Sequence, residues 1–349
     1  MCCMLIMTAA VSLAPGNWEP SVKAELEGLI RRNSGNPAAY AVFDFDNTTA
    51  IGDISNVCQW RMLETLAFKS DFAAALKSGI PTRYHARIDS MVSCIPLLRE
   101  MDEKVRVTTP TWHGWARAYW SLYRDLLDEC GTDTAYPWIG HLFAGYTSGE
   151  YQNFARAAAQ GALSAKTGLS ADPDAPDCFP RGLALTAEML DLFHAFERVG
   201  IATYIVSASN RELVFAMTDG TFGLKLGRDR IFGYRLRKGP DGRYLPLLDE
   251  SQPRPQGKGK VEIIRRFIAP RHQGADPVLT AGDSMGDFDM MTAFPKLQAA
   301  LVFNRNPKTG PLADLIRQAP TSAVPRILVQ GRDSAKGRLV PSHESKWGI

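Results

Sequence analysis

The segment Asp44-Phe45-Asp46-Asn47-Thr48 sets two carboxylates two residues apart, directly behind the continuously apolar run Tyr40-Ala41-Val42-Phe43. A run with no polar position is what a central parallel strand covered on both faces requires. Asn47, Thr48 and Thr49 break it, so both aspartates fall at the strand's carboxyl end, where open α/β sheets bind ligands. A carboxylate placed there can attack phosphorus, and a second can protonate the leaving oxygen and later activate water. Taken alone, the same residues fit a loop that caps a helix, and the rest of the chain has to decide.

The flanking pattern predicts an α/β fold with a doubly wound parallel sheet. Residues 18–32 read as a helix with Val22, Leu26, Leu29 and Ile30 on one face, ended by Asn33-Ser34-Gly35-Asn36-Pro37. From about 50 to 180 the pattern is mainly helical, and the stretch 172–177, with Pro173 and Pro176 between aspartates, reads as a linker. After Pro180 the alternation resumes. Leu185, Met189, Leu192, Phe193 and Phe196 make a helical stripe with Gly200 as its C-cap, and 201–206 is a buried strand ending in Ser207-Ala208-Ser209-Asn210. Residues 232–248, turning at Asp241-Gly242, read as a hairpin. Residues 260–268 are amphipathic, and 278–281 and 299–303 are two more buried strands. The expected organisation is a leader at 1–17, a core of 18–50 and 181–335, an inserted mainly α-helical cap at 51–180, and a tail at 336–349.

Four elements then converge on one crevice: Asp44 with Asp46, Ser207, Lys260, and the run Gly282-Asp283-Ser284-Met285-Gly286-Asp287. The Ser207 hydroxyl and the backbone amides of Ala208 and Ser209 can donate to a phosphate oxygen. Lys260 can neutralise both Asp44 and the phosphate. A site holding Asp44, Asp46, Asp283 and Asp287 is too negative to admit a phosphate dianion without a cation, and all-oxygen ligation selects Mg²⁺. Each part has a plain alternative, since serines cap helices and lysines are usually solvated. Their order, each behind its own strand or at a helix start, makes coincidence the weaker reading.

Of the 349 residues, 45% are hydrophobic and 22% charged, an ordinary globular balance, and a net charge of +3 without a Lys/Arg block gives no indication of nucleic acid as a partner. Residues 4–11 are mostly apolar and precede Ser12-Leu13-Ala14, which reads as a shortened signal peptide and a periplasmic or secreted protein, with a cytoplasmic protein as the alternative. No other stretch approaches the roughly 18 apolar residues of a membrane helix. Cys58, Cys94, Cys130 and Cys178 suit either one or two disulfides or four buried thiols, and the pairing and oligomeric state stay open. The six histidines show no metal-ligand spacing.

In these motifs the chain resembles the haloacid dehalogenase superfamily of aspartate-nucleophile phosphohydrolases. The resemblance implies Asp44 as nucleophile, Asp46 as general acid/base, Thr48 and Ser207 as phosphate ligands, and Lys260 as the residue stabilising the phospho-aspartate. It implies Mg²⁺ held by the Asp44 side chain, the Asp46 backbone carbonyl and Asp283, with Asp287 in support. The superfamily's dehalogenases lack the second aspartate, so Asp46 implies phosphoryl transfer. The chain also resembles the phosphorylcholine phosphatases, in 39–48, in Tyr136-Pro137-Trp138 through Thr147, in Tyr204 to Ala208 with Glu212-Leu213-Val214, and in Val302-Phe303-Asn304-Arg305. Its fourth motif is closer to the GDxxxD of phosphoserine phosphatases.

Trp112, Trp115, Tyr119, Trp120 and Tyr123 recur at helical spacing in the cap. As a cage, with Trp112, Trp115 and Tyr119 as candidate head-group ligands and Asp125 or Asp128 nearby, they would hold a quaternary ammonium. The alternative is the packed face of a cap helix. The expected activity is hydrolysis of a small phosphomonoester such as phosphocholine. Phosphoserine or phosphoethanolamine hydrolysis, phosphotransfer to another alcohol and a non-catalytic choline-binding protein are the competing readings.

Overall fold

The computed structural model describes residues 12–69, 71–164 and 182–346. Six strands form one sheet: β1 (Tyr40–Phe43), β2 (Ala202–Asn210), β3 (Ile231–Tyr234), β4 (Leu279–Gly282), β5 (Ala299–Phe303) and β6 (Arg326–Gln330). Their order is β3-β2-β1-β4-β5-β6, and every neighbouring pair is parallel. The order reverses between β1 and β4, the switch point at which a crevice opens beyond the carboxyl ends of the strands.

The lack of polar positions in β1 follows from its two covers. Ala41 and Phe43 enter a core shared with Leu26 and Leu29 of the helix Pro20–Asn33 and Phe193 and Phe196 of the helix Ala187–Arg198. Tyr40 and Val42 point the other way, among Val261, Ile264, Met290 and Leu312. With side chains alternating at period two, a strand between two helical layers has no solvent-facing position.

Between β1 and β2 the described chain is almost wholly helical. It includes Ile54–Thr65, Pro110–Cys130, Thr132–Ile139 and Ser148–Ser164. The two connections to this insertion pair with each other, Ile51–Gly52 running antiparallel to Leu183–Ala184. The longest cap helix starts with Thr109 accepting from the Trp112 amide and Pro110 in its first turn, and stops at Gly131 with φ 76°.

One expectation is corrected. Residues 231–234 join the main sheet beside β2, and the hairpin is confined to Leu236–Lys238 and Tyr244–Leu248, because Phe232 is an edge residue of the buried sheet. The amphipathic segment is helical, Lys258–Ile263 continued by a wider π-helical turn at Ile264–Ile268. Behind β6, Arg332–Asp333 pairs antiparallel with Arg338–Leu339, and Leu339 and Val340 are buried. Cys58, Cys94 and Cys130 carry free thiols. Cys178, the 172–177 linker and the apolar start at 1–11 lie outside the described residues. Among the described residues no helix is long and apolar enough to cross a membrane.

Candidate active site

A crevice of about 1000 Å³ opens at the switch point and is lined by Asp44, Asp46, Ser207, Ala208, Lys260, Asp283 and Asp287, among others. Asp44 follows β1 directly, its amide donating to Ala281 O of β4 at 2.9 Å, which fixes the nucleophile candidate between the two central strands. Asn47 then takes φ 57°, and the Thr49 hydroxyl donates back to Asp44 O at 2.7 Å. This tight reversal brings Asp46 round to the same crevice.

Lys260 is the electrostatic centre of the site. Only 2% exposed, it places Nζ 2.8 Å from Asp44 Oδ1 and 2.6 Å from Asp287 Oδ1. Asp287 Oδ2 is occupied as well, accepting from the amides of Asp283 and Ser284 and from the Ser284 hydroxyl at 3.0–3.1 Å. Gly282 makes that approach possible, because a Cβ there would sit 2.3 Å from Asp287 Cβ. Asp287 therefore braces the site through both of its carboxylate oxygens.

The donor set fits a hard divalent cation. Carboxylate oxygens of Asp44, Asp283 and Asp287 lie within 4.8 Å of one another. Among the described residues Asp283 Oδ2 makes no hydrogen bond, being met only by the charges of Arg305 and Arg332, so this all-oxygen set keeps acceptor capacity of the kind a hard cation takes. Burial, and then the charge of Asp287, lift Asp44 to about 7 against the opposing pull of Lys260. Burial, and then Asp53 and Asp44, hold Asp46 well above the usual carboxylate range, against donation from Ser209 and the Ile54 amide. An Asp46 held above the usual range, next to an Asp44 facing Lys260, is the kind of division a general acid and a nucleophile require.

Ser207 lines the crevice but holds Asp46 only at 3.4 Å, whereas Ser209, which sequence reasoning used for its amide alone, donates to Asp46 Oδ2 at 2.5 Å and meets the Ser55 hydroxyl at 2.6 Å. Ser209 stabilises the charged form of Asp46, so its loss raises the Asp46 pKa further. Ser209→Ala is therefore expected to move the basic limb of a kcat/KM–pH profile to higher pH. An unmoved limb would separate Ser209 from the acid.

Four sequence candidates are placed elsewhere. Thr48 is buried with its hydroxyl 3.5 Å from Asp283 Oδ1 and does not line the crevice itself. Trp112, Trp115 and Tyr119 are cap core: Trp112 Nε1 donates to Leu63 O at 2.9 Å, Trp115 packs edge-on to Phe68, and the Tyr119 hydroxyl donates to Gln59 Oε1 at 2.9 Å while its ring stacks on Trp138. The neighbouring stripe of the same helix, Trp120, Tyr123 and Leu127, faces the crevice instead, the expected result of 3.6-residue periodicity. Trp120 and Tyr123 stack at 5.2 Å. Asp125 pairs with Arg87, and Asp53 and Asp133, not Asp125 or Asp128, are the carboxylates this insertion brings to the crevice wall.

Two arginines complete the site and escaped sequence reasoning. Arg305 Nε lies 3.3 Å from Asp283 Oδ2, and Arg332 Nη2 lies 3.8 Å from the same oxygen. Arg332 is 1% exposed and donates to Asn47 O, tying the segment behind β6 to the loop that follows Asp44 and Asp46. Burial lowers its guanidinium to about 10 against the pull of Asp283. The available signal was Ile327-Leu328-Val329 as one more buried run with a basic residue just past its end.

No family model matches the chain. The chain is 26% identical over 236 residues to phosphorylcholine phosphatase from Pseudomonas aeruginosa, across 66% of its own length and 59% of that protein's. The chain is similar to a phosphorylcholine phosphatase. The match spans less than two thirds of that relative, so the likeness concerns a part of it. The likeness to a solved protein of unknown function from Anaerococcus prevotii DSM 20548 extends over 97% of this chain and 99% of that one, with a TM-score of 0.76 at 22% identity. That correspondence shows the fold alone.

Proposed function

We propose that the chain is a Mg²⁺-dependent phosphomonoester hydrolase that works through an aspartyl phosphate on Asp44, with 18–50 and 181–335 as its core and 51–180 as the cap over it. The observation that carries this reading is the Asp44 carboxylate bridged at 2.8 Å to a buried Lys260, in one crevice with a second aspartate, Asp46, whose carboxyl burial holds above the usual range. Asp44 attacks phosphorus in line as the ester P–O bond breaks, and Asp46 gives its proton to the departing alkoxide. Asp46 then takes a proton from the water that attacks the aspartyl phosphate, and inorganic phosphate leaves with Asp44 regenerated. Lys260, Ser207 and the Ala208 amide are the groups available to the non-bridging oxygens, whose charge is what phosphoryl-transfer sites mainly stabilise. A bound Mg²⁺, held by Asp44, Asp283 and the Asp46 carbonyl, would neutralise phosphate and carboxylate charge together.

For the substrate we favour a small phosphorylated amino alcohol such as phosphocholine. Trp120 and Tyr123 offer stacked aromatic faces on the crevice wall, and Asp53 supplies a carboxylate close enough to perturb the Tyr123 and Tyr136 phenols. The name of the Pseudomonas relative supports the same class. Periplasmic or secreted placement rests on the apolar start of the chain alone, and sequencing the mature N-terminus tests it.

The test is phosphate release from phosphocholine, phosphoethanolamine, phosphoserine and p-nitrophenyl phosphate, with Mg²⁺ and with EDTA. The expected result is metal-dependent release favouring phosphocholine. Trp120→Ala should raise the KM for phosphocholine by roughly 2- to 30-fold, the range of a lost cation–π face, and leave p-nitrophenyl phosphate turnover within about twofold. Preference for another ester would remove the choline reading and keep the chemistry. No release from any ester by folded, metal-replete protein would overturn the hydrolase.

A further inference from the structure

A second cleft, of about 420 Å³, lies between the hairpin and the start of the helix Arg211–Thr218 and shares no lining residue with the catalytic crevice. Its wall gathers four cationic side chains, Arg211, Arg235, Arg237 and Lys238, against two carboxylates, Glu212 and Asp249. Both carboxylates are committed. Glu212 pairs with Arg228 and accepts from the Tyr244 hydroxyl and Gln152 Nε2, both at 2.6 Å. Asp249 takes Arg235 Nη2 at 3.2 Å and the Ser251 amide at 3.0 Å.

Among the described residues Arg211 has no ion-pair partner, and the Nε atoms of Arg211 and Arg235 are buried without a hydrogen bond. A partly desolvated guanidinium with unmet donors beside like charges is unfavourable on both counts, and an oxyanion answers both. Its electrostatic situation agrees: burial, and then the charges of Arg228 and Arg235, hold the Arg211 guanidinium below its ordinary range against the pull of Glu212.

We propose that this cleft is an anion-binding site for a small phosphate- or carboxylate-bearing metabolite, separate from the site of turnover. The unmet donors in it are the Nε atoms of Arg211 and Arg235, Arg235 Nη2 being held by Asp249 and Ser251, and Arg237 and Lys238 line it from the hairpin. Lys238 Nζ also donates to Ser148 Oγ at 2.7 Å, so the site touches the loop that leads into the helix Ser148–Ser164 of the insertion. Through Asn210 it borders β2 one residue from Ser209.

Pyrophosphate titrated calorimetrically into the full chain, at low ionic strength and in EDTA, tests the assignment without any turnover. EDTA removes any cation that would hold the probe among the crevice aspartates. The expected result is one saturable site that both Arg211→Gln and Arg237→Glu weaken by at least about tenfold, the effect of losing one charge-assisted contact. Arg237 is exposed, so its variant keeps the fold even if Arg211→Gln does not, and its hydrolysis of p-nitrophenyl phosphate with Mg²⁺ should stay within about twofold of the parent. Undetectable binding in the parent, or binding of parental strength in the Arg237→Glu variant, would overturn the proposal.

Discussion

Asp44→Asn is expected to lower phosphate release from every ester by at least about 10⁴-fold, the scale on which losing the attacking group acts, while the metal-free protein becomes more stable at pH 8. The two halves have one cause. Asp44 sits among Asp287, Asp283 and Asp46 with burial raising it to about 7, so the native carboxyl binds its proton more tightly than the unfolded one, whose ordinary pKa is 3.8. Between these values the native state holds more protons, and its stability falls as pH rises from about 4 through 7. Asparagine keeps the shape, still accepts from Lys260, and removes that loss. The gap between denaturant midpoints in EDTA at pH 5 and pH 8 should therefore be narrower in the variant than in the parent, the remainder coming from Asp46 and the other carboxyls that burial raises. A variant that retained a substantial fraction of turnover would remove Asp44 as nucleophile, whatever its stability.

The difference between what the sequence disclosed and what it hid follows from how local each signal is. The strand–aspartate junctions could be read because a buried parallel strand and its polar terminus are adjacent in the chain: Tyr40 to Asp46, Val206 with Ser207, and Ala281 to Asp283 each carry pattern and chemistry together. Lys260 was readable for the same reason, lying in the first turn of a helix capped by Gly257. What stayed hidden depends on which face of an element meets a distant one. The aromatic spacing from Trp112 to Tyr123 identifies a helix but not the stripe that turns to the crevice. The cap core took Trp112, Trp115 and Tyr119 because they meet Leu63, Phe68 and Gln59, residues some 45–60 positions away. Asp53, which carries no motif, caps the helix Ile54–Thr65 by accepting from the Asn56 amide at 3.0 Å, and it also lines the crevice behind the pairing of Ile51–Gly52 with Leu183–Ala184. Arg332 lies 285 residues from the Asn47 carbonyl it holds, a separation no local pattern bridges.

Lys260→Met should be the most destabilising single change in the core, costing about 3–5 kcal/mol at pH 8 in metal-free protein, as expected when one partner of a buried ion pair is removed and the other charge is stranded. Here two are stranded, Asp44 at 2.8 Å and Asp287 at 2.6 Å, in a pocket where Lys260 is the cation that touches both. Burial pulls the ammonium toward its neutral form, but Asp287 and Asp44 outweigh it and hold the lysine above its ordinary range, so it is charged throughout the working pH range. Methionine fills similar volume without charge, which separates electrostatics from a packing void. The deficit should shrink as pH falls from 8 toward 4, because protonation relieves the stranded carboxylates in the native state, and Mg²⁺ should recover part of it by supplying the missing positive charge. Turnover should stay depressed even where Mg²⁺ restores the fold, since the cation facing Asp44 from the helix side is also the one available to the transferring phosphoryl group. Denaturant melts at pH 5 and 8, with and without Mg²⁺, alongside p-nitrophenyl phosphate turnover, read both effects. A pH-independent deficit would make Lys260 a packing residue. Parental stability together with parental turnover would remove it from the site altogether.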